Sequence, residues 1–346
     1  MRGALMYGPG DVRVEEREDP RIEASTDAII RVSAACVCGS DLWPYRGLEP
    51  HDWPAPMGHE YVGVVEEVGG AVRTIRPGQF VVGSFWASDN TCELCRAGYQ
   101  GSCVNRINMG SLGAQAELLR VPLADGTLVA TPEIPPDDMI PSLLAASDVL
   151  GTGWYAAVAA AAGPGKTVAV VGDGAVGLLA VLAAGRLGTE RIISMSRIES
   201  RQRLAREWGA TDIVEERGAE GIARGKERTG GLGAHSAIDA VGTQEAMMQA
   251  IGASGGDRFW SQVHLHGGPA PVRRFLPELI DLIWTRQIDP GKVYDLRLPL
   301  HEAAEAYRAM DERRAIKTLL RPLPHAPPWS RRGVVAGWWS DTLTSN

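Results

Sequence analysis

The sequence has little of what several classes of protein require. Only 5 of its 346 residues are cysteine, too few for the disulfide framework of a secreted protein. Acidic residues outnumber basic ones by 42 to 35, which does not favour a nucleic-acid surface. The two most apolar stretches, 143–162 and 168–185, contain Asp148 or Asp173 and several glycines, so neither is expected to span a membrane. We therefore expect a cytoplasmic protein whose partners are small molecules, not nucleic acid or membrane.

The distribution of Val, Ile, Gly and Pro divides the chain into two regions. Up to about residue 150, short Val and Ile runs are cut by Gly and Pro, which is typical of a small antiparallel barrel. From Thr167 onward, strand-like runs alternate with helical segments, which predicts parallel βαβ units and an α/β fold. The end of the chain is rich in Pro and Trp without periodicity, so it is either disordered or a cover for an apolar patch. The expected parts are a first domain at 1–150 completed by 290–322, a second domain at 151–289, and a disordered tail at 323–346.

A glycine motif follows the first strand of the second region. Residues 172–177 read Gly-Asp-Gly-Ala-Val-Gly, follow a predicted strand at 168–171 and run into the start of a predicted helix at 175–187. Such glycines allow a tight turn and a close approach of the backbone to a diphosphate at the helix N-terminus. The alternative is an ordinary glycine-rich turn. The residues predicted to contact a dinucleotide are Gly172, Gly174, Ala175, Val176 and Gly177.

The end of the next strand bears on the choice of nucleotide. In the dinucleotide fold a carboxylate at this position accepts the adenosine ribose hydroxyls. Here the sequence has Ser196 and Arg197 instead, which can donate to or pair with a 2'-phosphate. We expect NADP in preference to NAD, although Arg197 could simply begin an exposed basic helix.

The second region is short at its end. After a helix predicted at 244–251, only one apolar segment remains, Val263–His266. A complete doubly wound half should supply two more strands there. We expect the parallel sheet to be one strand short, with an exposed edge.

Two groups of possible metal ligands lie in the first region. The first comprises Cys38, in Cys-Gly-Ser-Asp, and His59, in Gly-His-Glu. The second has the spacing Asp89-x2-Cys92-x2-Cys95-x7-Cys103. With the glycine motif downstream, this order of motifs resembles the zinc-containing medium-chain dehydrogenases over about residues 1–322. The resemblance implies a GroES-like barrel domain and a Rossmann domain, with a catalytic zinc ion in the cleft between them.

In that family the Cys and His motifs hold the catalytic zinc, so the resemblance implies Cys38 and His59 as ligands. A third ligand precedes a Thr-Gly segment at the domain junction, which here is Asp148. Three ligands leave one zinc position open for a substrate oxygen. Glu60 resembles the family's glutamate near the metal, and Asp41 resembles the carboxylate that orients the histidine. A carboxylate at a helix start is also a common N-cap, which is the alternative for Asp148.

The second cluster resembles the family's structural-zinc lobe, in which four cysteines form a closed site. Asp89 stands where the family has its first cysteine, so we expect a second zinc ion held by Asp89, Cys92, Cys95 and Cys103. A harder ligand among thiolates should lower the affinity for zinc. The alternative is an empty lobe with free thiols.

The resemblance implies hydride transfer between an alcohol, aldehyde or ketone and NADP or NAD. Ser40 matches the hydroxyl that relays the alcohol proton, but Trp43 stands where many relatives continue the relay with histidine. Thr152 resembles a residue beside the nicotinamide, and Lys317 one that reaches the cofactor phosphates. Relatives are usually dimers or tetramers, so a homo-oligomer is expected. The alternatives are a zinc-free quinone or enone reductase and a catalytically impaired relative that binds zinc and nucleotide.

Overall fold

The computed structural model describes residues 1–255 and 265–322. The predicted tail at 323–346 and the first half of the predicted strand Val263–His266 lie outside these ranges. The strands are β1 (Arg2–Gly8), β2 (Asp11–Glu16), β3 (Ala28–Cys36), β4 (Ala55–Pro56), β5 (Tyr61–Val68), β6 (Phe80–Gly83), β7 (Trp86–Ala87), β8 (Ile107–Asn108), β9 (Leu118–Val121), β10 (Leu128–Ala130), β11 (Thr167–Val171), β12 (Arg191–Met195), β13 (Asp212–Val214), β14 (Ser236–Asp239), β15 (Leu296–Pro299) and β16 (Thr318–Arg321). The helices are α1 (Leu42–Tyr45), α2 (Glu93–Arg96), α3 (Ala124–Thr127), α4 (Ile140–Ala146), α5 (Val149–Ala159), α6 (Ala175–Arg186), α7 (Glu199–Glu207), α8 (Gly218–Glu227), α9 (Gln244–Ala253), α10 (Val272–Trp284) and α11 (Ala303–Asp311).

The first region forms barrel-like antiparallel sheets. The larger sheet has the order β10-β6-β5-β3-β16-β15, with β9 also paired to β3. Ile30 and Val32, two residues apart on β3, lie on one face and pack in a fully buried cluster. The late strand β16 pairs with β3 in antiparallel register, and β15 pairs with β16 in parallel register. The segment that contains Lys317 therefore returns to the sheet that presents Cys38.

The second region has the predicted alternation of strands and helices. Within the described residues its sheet is parallel, with the order β13-β12-β11-β14. The buried runs of β11 and β12, which pair along their whole length, are the Val- and Ile-rich segments recognised in the sequence. The glycine-rich helix α8 was not predicted because its sequence has few apolar residues. The second half of the predicted strand, Leu265 and His266, has no regular secondary structure.

Helix α10 begins at Val272 and includes Pro277. Proline inside a helix removes one backbone hydrogen bond. The apolar face of α10 compensates, because Phe275, Leu279 and Ile283 are buried in the main core. No helix in the described ranges is long and apolar enough to cross a membrane.

One hydrophobic core joins the two regions. It combines residues of α4, α5, α6 and α10 with one face of the antiparallel sheet. Gly153 of α5 makes this packing close, because a Cβ atom there would lie 2.7 Å from the backbone nitrogen of Ala180 on α6. Since α6 begins at the glycine motif, α5 connects that motif to Asp148, which directly precedes α5.

Candidate metal centre and nucleotide site

Three chain segments bring Cys38, His59 and Asp148 together. Cys38 lies two residues beyond β3, His59 lies two residues before β5, and Asp148 joins α4 to α5. Gly58 allows the tight turn at His59, since it has a φ of +90° and a Cβ there would lie 2.5 Å from Cγ of Gln115. The three side chains converge although they are far apart in the sequence.

The donor atoms have the separations of a single zinc site. Oδ2 of Asp148 lies 3.6 Å from Sγ of Cys38 and 3.3 Å from Nε2 of His59. Zinc bonds of about 2.0–2.3 Å place the donors of a tetrahedral site roughly 3.3–3.8 Å apart. Ligand atoms of these three residues and Glu60 all lie within 4.8 Å of one another. The residues present therefore fit a zinc ion.

Asp41 fixes the orientation of two of these residues. Its Oδ2 accepts the backbone N–H of Cys38 at 2.9 Å, and its Oδ1 lies 3.4 Å from Nδ1 of His59. Burial lowers the pKa of His59, but the charges of Asp41 and Cys38 and a hydrogen bond to Asp148 raise that pKa well above its usual value. The Asp41 carboxylate occupies the position from which it can hold the histidine ring with Nε2 toward the metal.

Asp148 does not act as a helix cap. It occupies the N-cap position of α5, yet its side chain makes no capping hydrogen bond. Instead its Oδ1 accepts a hydrogen bond from the Thr152 hydroxyl at 2.8 Å, and Oδ2 faces Cys38 and His59. The alternative interpretation of Asp148 as a cap is therefore wrong. The predicted role of Thr152 beside the nicotinamide stays a prediction.

Glu60 and Lys317 form a buried ion pair behind these ligands. Nζ of Lys317 lies 2.6 Å from Oε1 of Glu60 and also donates to the backbone oxygen of Val37. Both side chains are almost fully buried, at 1% and 0% exposed. Burial alone would lower the pKa of Lys317, but Cys36 and Glu60 raise it well above its usual value. This position differs from the prediction that Lys317 reaches the cofactor phosphates, because its ammonium group is enclosed by the barrel.

The predicted relay residue Ser40 is exposed, and Trp43 is 43% exposed three residues further on. Phe85 packs its edge against the His59 ring, with the centroids 6.1 Å apart. No sequence motif marked Phe85, which lies just beyond β6. Its ring adds an apolar surface beside the metal ligands.

The second cluster forms a compact lobe around α2. The ligand atoms of Asp89, Cys92, Cys95 and Cys103 all lie within 4.8 Å of one another. The sulfur atoms of Cys92 and Cys103 are 3.9 Å apart, close to the roughly 3.8 Å spacing that two Zn–S bonds of about 2.3 Å give. Hydrogen bonds from backbone N–H groups lower the pKa of Cys92 to about 7, so its thiolate is available near neutral pH. This donor set also fits zinc.

Asp89 takes the place of a thiolate in this lobe. Its Oδ1 accepts the backbone N–H groups of Thr91 and Cys92, and its Oδ2 accepts the Asn105 amide at 2.7 Å. These bonds lower the pKa of Asp89 although burial raises it. The carboxylate is therefore charged and held at the cluster.

The glycine motif forms a close turn between β11 and α6. Gly172 has a φ of +113°, and a Cβ at Gly177 would lie 2.1 Å from the backbone oxygen of Gly172. A Cβ at Gly174 would meet nothing within 4 Å. Ala175 and Val176 open α6, so the helix N-terminus faces the turn. The geometry matches an open diphosphate cradle.

Ser196 and Arg197, the two residues predicted to contact a 2'-phosphate, lie in different environments. Ser196 is buried and donates its hydroxyl to Oδ2 of Asp173 at 2.8 Å, while Arg197 is exposed. The buried Arg201 also contacts Asp173, through Nη1 at 3.2 Å from Oδ1, and donates through Nη2 to the backbone oxygen of Ala315. Sequence reasoning missed this link, which joins the glycine motif to the segment before β16.

Comparison with known proteins agrees with this architecture. Residues 24–133 match the family model described as alcohol dehydrogenase GroES-like domain, and residues 175–256 match that of zinc-binding dehydrogenase. The chain is 32% identical to the zinc-type alcohol dehydrogenase B of Aspergillus flavus, over 93% of this chain and 81% of the relative. It is 36% identical to a probable zinc-binding alcohol dehydrogenase of Mycobacterium tuberculosis, over 93% of this chain and 89% of the relative.

A solved alcohol dehydrogenase from Thermus sp. ATN1 superimposes with a TM-score of 0.85 at 29% identity, covering 93% of this chain and 99% of that one. The fold prediction of a GroES-like domain with a Rossmann-type domain is confirmed. Together with the converging cysteine, histidine and carboxylate ligands, these similarities show that the chain belongs to the zinc-dependent medium-chain alcohol dehydrogenase family.

Proposed function

We propose that the protein transfers a hydride between an alcohol and an aldehyde or ketone with a zinc ion at Cys38, His59 and Asp148, and that it uses NADP(H) in preference to NAD(H). The observation that carries this proposal is the set of donor separations, 3.3 and 3.6 Å, around Oδ2 of Asp148. With these three residues as ligands, a tetrahedral zinc ion would keep one position open for the substrate oxygen.

The position of α5 brings the chemistry and the cofactor together. Asp148 precedes this helix, and Gly153 within it packs against α6, whose N-terminus opens at Gly174. A dinucleotide whose diphosphate bound at the glycine motif would extend its nicotinamide toward the same helix. Zinc bound by the three ligands would polarise the substrate oxygen and lower the cost of removing its proton.

The chain's own residues would perform the remaining steps. Asp41 keeps the His59 ring oriented and Thr152 fixes the Asp148 carboxylate. The Ser40 hydroxyl accepts the alcohol proton and passes it directly to water, because Ser40 is exposed and Trp43 cannot continue the relay. Phe85 and Trp43 supply apolar surface, which favours alcohols with an apolar or aromatic substituent.

Zinc analysis of purified protein tests the proposal. The wild type should contain two zinc ions per chain, and Cys38→Ser and Cys95→Ser should each lose one. Cys38→Ser should also lose alcohol-dependent reduction of NADP, whereas Cys95→Ser should keep part of it. Zinc bound at both sites and nucleotide bound without turnover of primary, secondary or benzylic alcohols would reject the proposed activity. Turnover retained by zinc-free Cys38→Ser would favour a zinc-free reductase instead.

A further inference from the structure

Two arginines emerge side by side from the carboxyl edge of the parallel sheet. Strands β12 and β13 end in register at Met195 and Val214, and the backbone N–H of Ser196 donates to the oxygen of Val214 at 3.0 Å. Arg197 and Arg217 follow directly on these two strand ends, and both are exposed. Side chains at this edge of an open α/β sheet face the crevice where ligands bind.

A third arginine reaches the same place from the barrel region. Arg313 lies between α11 and β16, and it adopts a φ of +60° that is uncommon for a residue with a side chain. Two residues later, the backbone oxygen of Ala315 accepts a hydrogen bond from Arg201 at 3.2 Å. Arg201 lies on α7, the helix that begins two residues after Arg197. Its bond to Ala315 therefore holds the turn that contains Arg313 against the sheet edge.

No neighbouring carboxylate forms an ion pair with these three arginines among the described residues. Among the described residues, the side chains of Arg197, Arg217 and Arg313 have no hydrogen bond or ion pair. Each neighbouring carboxylate has another partner: Glu199 pairs with Arg203, Glu216 with Arg224, Glu312 with Arg314, Asp173 with Arg201, and Glu215 accepts the Gln202 amide.

Arg197 and Arg313 both lie close enough to Arg217 to repel its positive charge. Partial burial lowers the pKa of Arg217. The positive charges of Arg197 and Arg313 lower this pKa further, whereas the Asp173 carboxylate raises it. Like charges that converge without a counter-ion cost stability, and the cost is offset when an anion binds between them.

We infer that Arg217 and Arg313, which come from different domains, join Arg197 in binding the 2'-phosphate of NADP. This inference rests on the proposed function, because it requires a nucleotide on the glycine cradle. The diphosphate has its own place at Gly174 and the α6 N-terminus, whereas the arginines lie beyond Asp173 and Ser196, on the ribose side. A phosphate monoester carries a charge of about −1.5 to −2 near neutral pH, which three guanidinium groups can balance. Arg313 would make NADP a bridge between the two domains.

Fluorescence titration with NADPH and NADH tests the inference. The wild type should bind NADPH more tightly, and Arg217→Ala and Arg313→Ala should each raise the Kd for NADPH about tenfold while leaving the Kd for NADH unchanged. The preference should also weaken at high salt, because the site is exposed. Arg203→Ala and Arg314→Ala, whose arginines are ion-paired to Glu199 and Glu312, are matched controls and should change neither Kd.

A comparison of 2',5'-ADP with 5'-AMP as competitors of NADPH tests the arginine site independently of catalysis, because only 2',5'-ADP carries the 2'-phosphate. Preferential binding of 2',5'-ADP that is lost in Arg217→Ala and Arg313→Ala supports the inference even if no alcohol is turned over. Equal binding of NADPH and NADH by the wild type would overturn the inference together with the proposed NADP preference, and would leave the proposed alcohol oxidation intact. Equal losses for both dinucleotides in the two variants would also overturn it, since that pattern indicates a general structural role.

Discussion

At the scale of single residues, Lys317 and Glu60 each compensate the buried charge of the other. Neither side chain has access to water, and Oε2 of Glu60 has no hydrogen-bond partner among the described residues. Removing one partner of such a pair leaves an unpaired buried charge, whereas replacing both groups can be nearly neutral. The pair therefore keeps the Glu60 carboxylate in the barrel beside Cys38, His59 and Asp148, with its Oε2 unpartnered.

Lys317→Ala should lower the free energy of unfolding by about 3–5 kcal/mol. Lys317→Met combined with Glu60→Gln should recover most of that loss, because no unpaired charge is left. Urea denaturation measures both effects, with Lys292→Ala as a control. Lys292 pairs with Glu207 on the surface, so its loss should cost less than about 1 kcal/mol. A double variant as unstable as Lys317→Ala would show that the charge pair is not the cause.

Ser40 offers a separate prediction, because it is exposed and its loss should not affect folding. Ser40→Ala should lower kcat by about 100-fold or more, the usual contribution of a positioned proton acceptor. The Kd for NADPH and the unfolding midpoint should stay unchanged. Ser25→Ala, an exposed serine in the loop between β2 and β3, is the control. An unchanged kcat would mean that the alcohol proton leaves by another route.

The elements of the second region were predictable because their signals are local. Buried strands such as β11 and β12 appear as Val- and Ile-rich runs, and Gly172 to Gly177 lie directly between a strand and a helix. The start of α10 was not predictable, because tertiary packing of Phe275 and Leu279 outweighs the penalty of Pro277. Similarly, no local pattern reveals Phe85, Arg217 or Arg313, whose positions depend on how distant segments meet. The candidate ligands Cys38, His59 and Asp148 could be predicted only through the order of family motifs.

Two glycines of the α6 turn should respond differently to the same substitution. Gly174→Ala should fold normally, since its φ is −75° and a Cβ meets nothing within 4 Å. It should nevertheless weaken NADPH binding, because the added methyl group lies where the backbone approaches the diphosphate. Gly177→Ala should destabilise the domain, since its Cβ would lie 2.1 Å from a backbone oxygen. Thermal unfolding measures the stability of the two variants, and titration with NADPH measures their affinity. Equal stability of the two variants would contradict the predicted clash at Gly177.

At the scale of the whole molecule, the lobe of Asp89, Cys92, Cys95 and Cys103 lies against α10, which packs on the helix that follows Asp148. A Cβ at Gly101 would lie 3.0 Å from the backbone oxygen of Ala270, just before α10, and Gly98 lies close to Arg274. Val272 of α10 in turn contacts Gly151 of α5, three residues beyond Asp148. Direct packing therefore connects the lobe to the helix that follows Asp148.

A zinc ion in this lobe would be held less tightly by Asp89 than by a fourth thiolate, because zinc prefers the softer ligand in a site of sulfur donors. Asp89→Cys should therefore bind zinc at least tenfold more tightly. With zinc in excess, a tenfold gain adds about 1.4 kcal/mol of stability, which corresponds to roughly 2 °C in Tm for a protein of this size. Chelator competition and thermal unfolding measure the two effects, and Cys95→Ser should shift both in the opposite direction. If Asp89→Cys neither tightens zinc binding nor raises Tm, Asp89 serves only to close the Thr91 turn and is not a ligand.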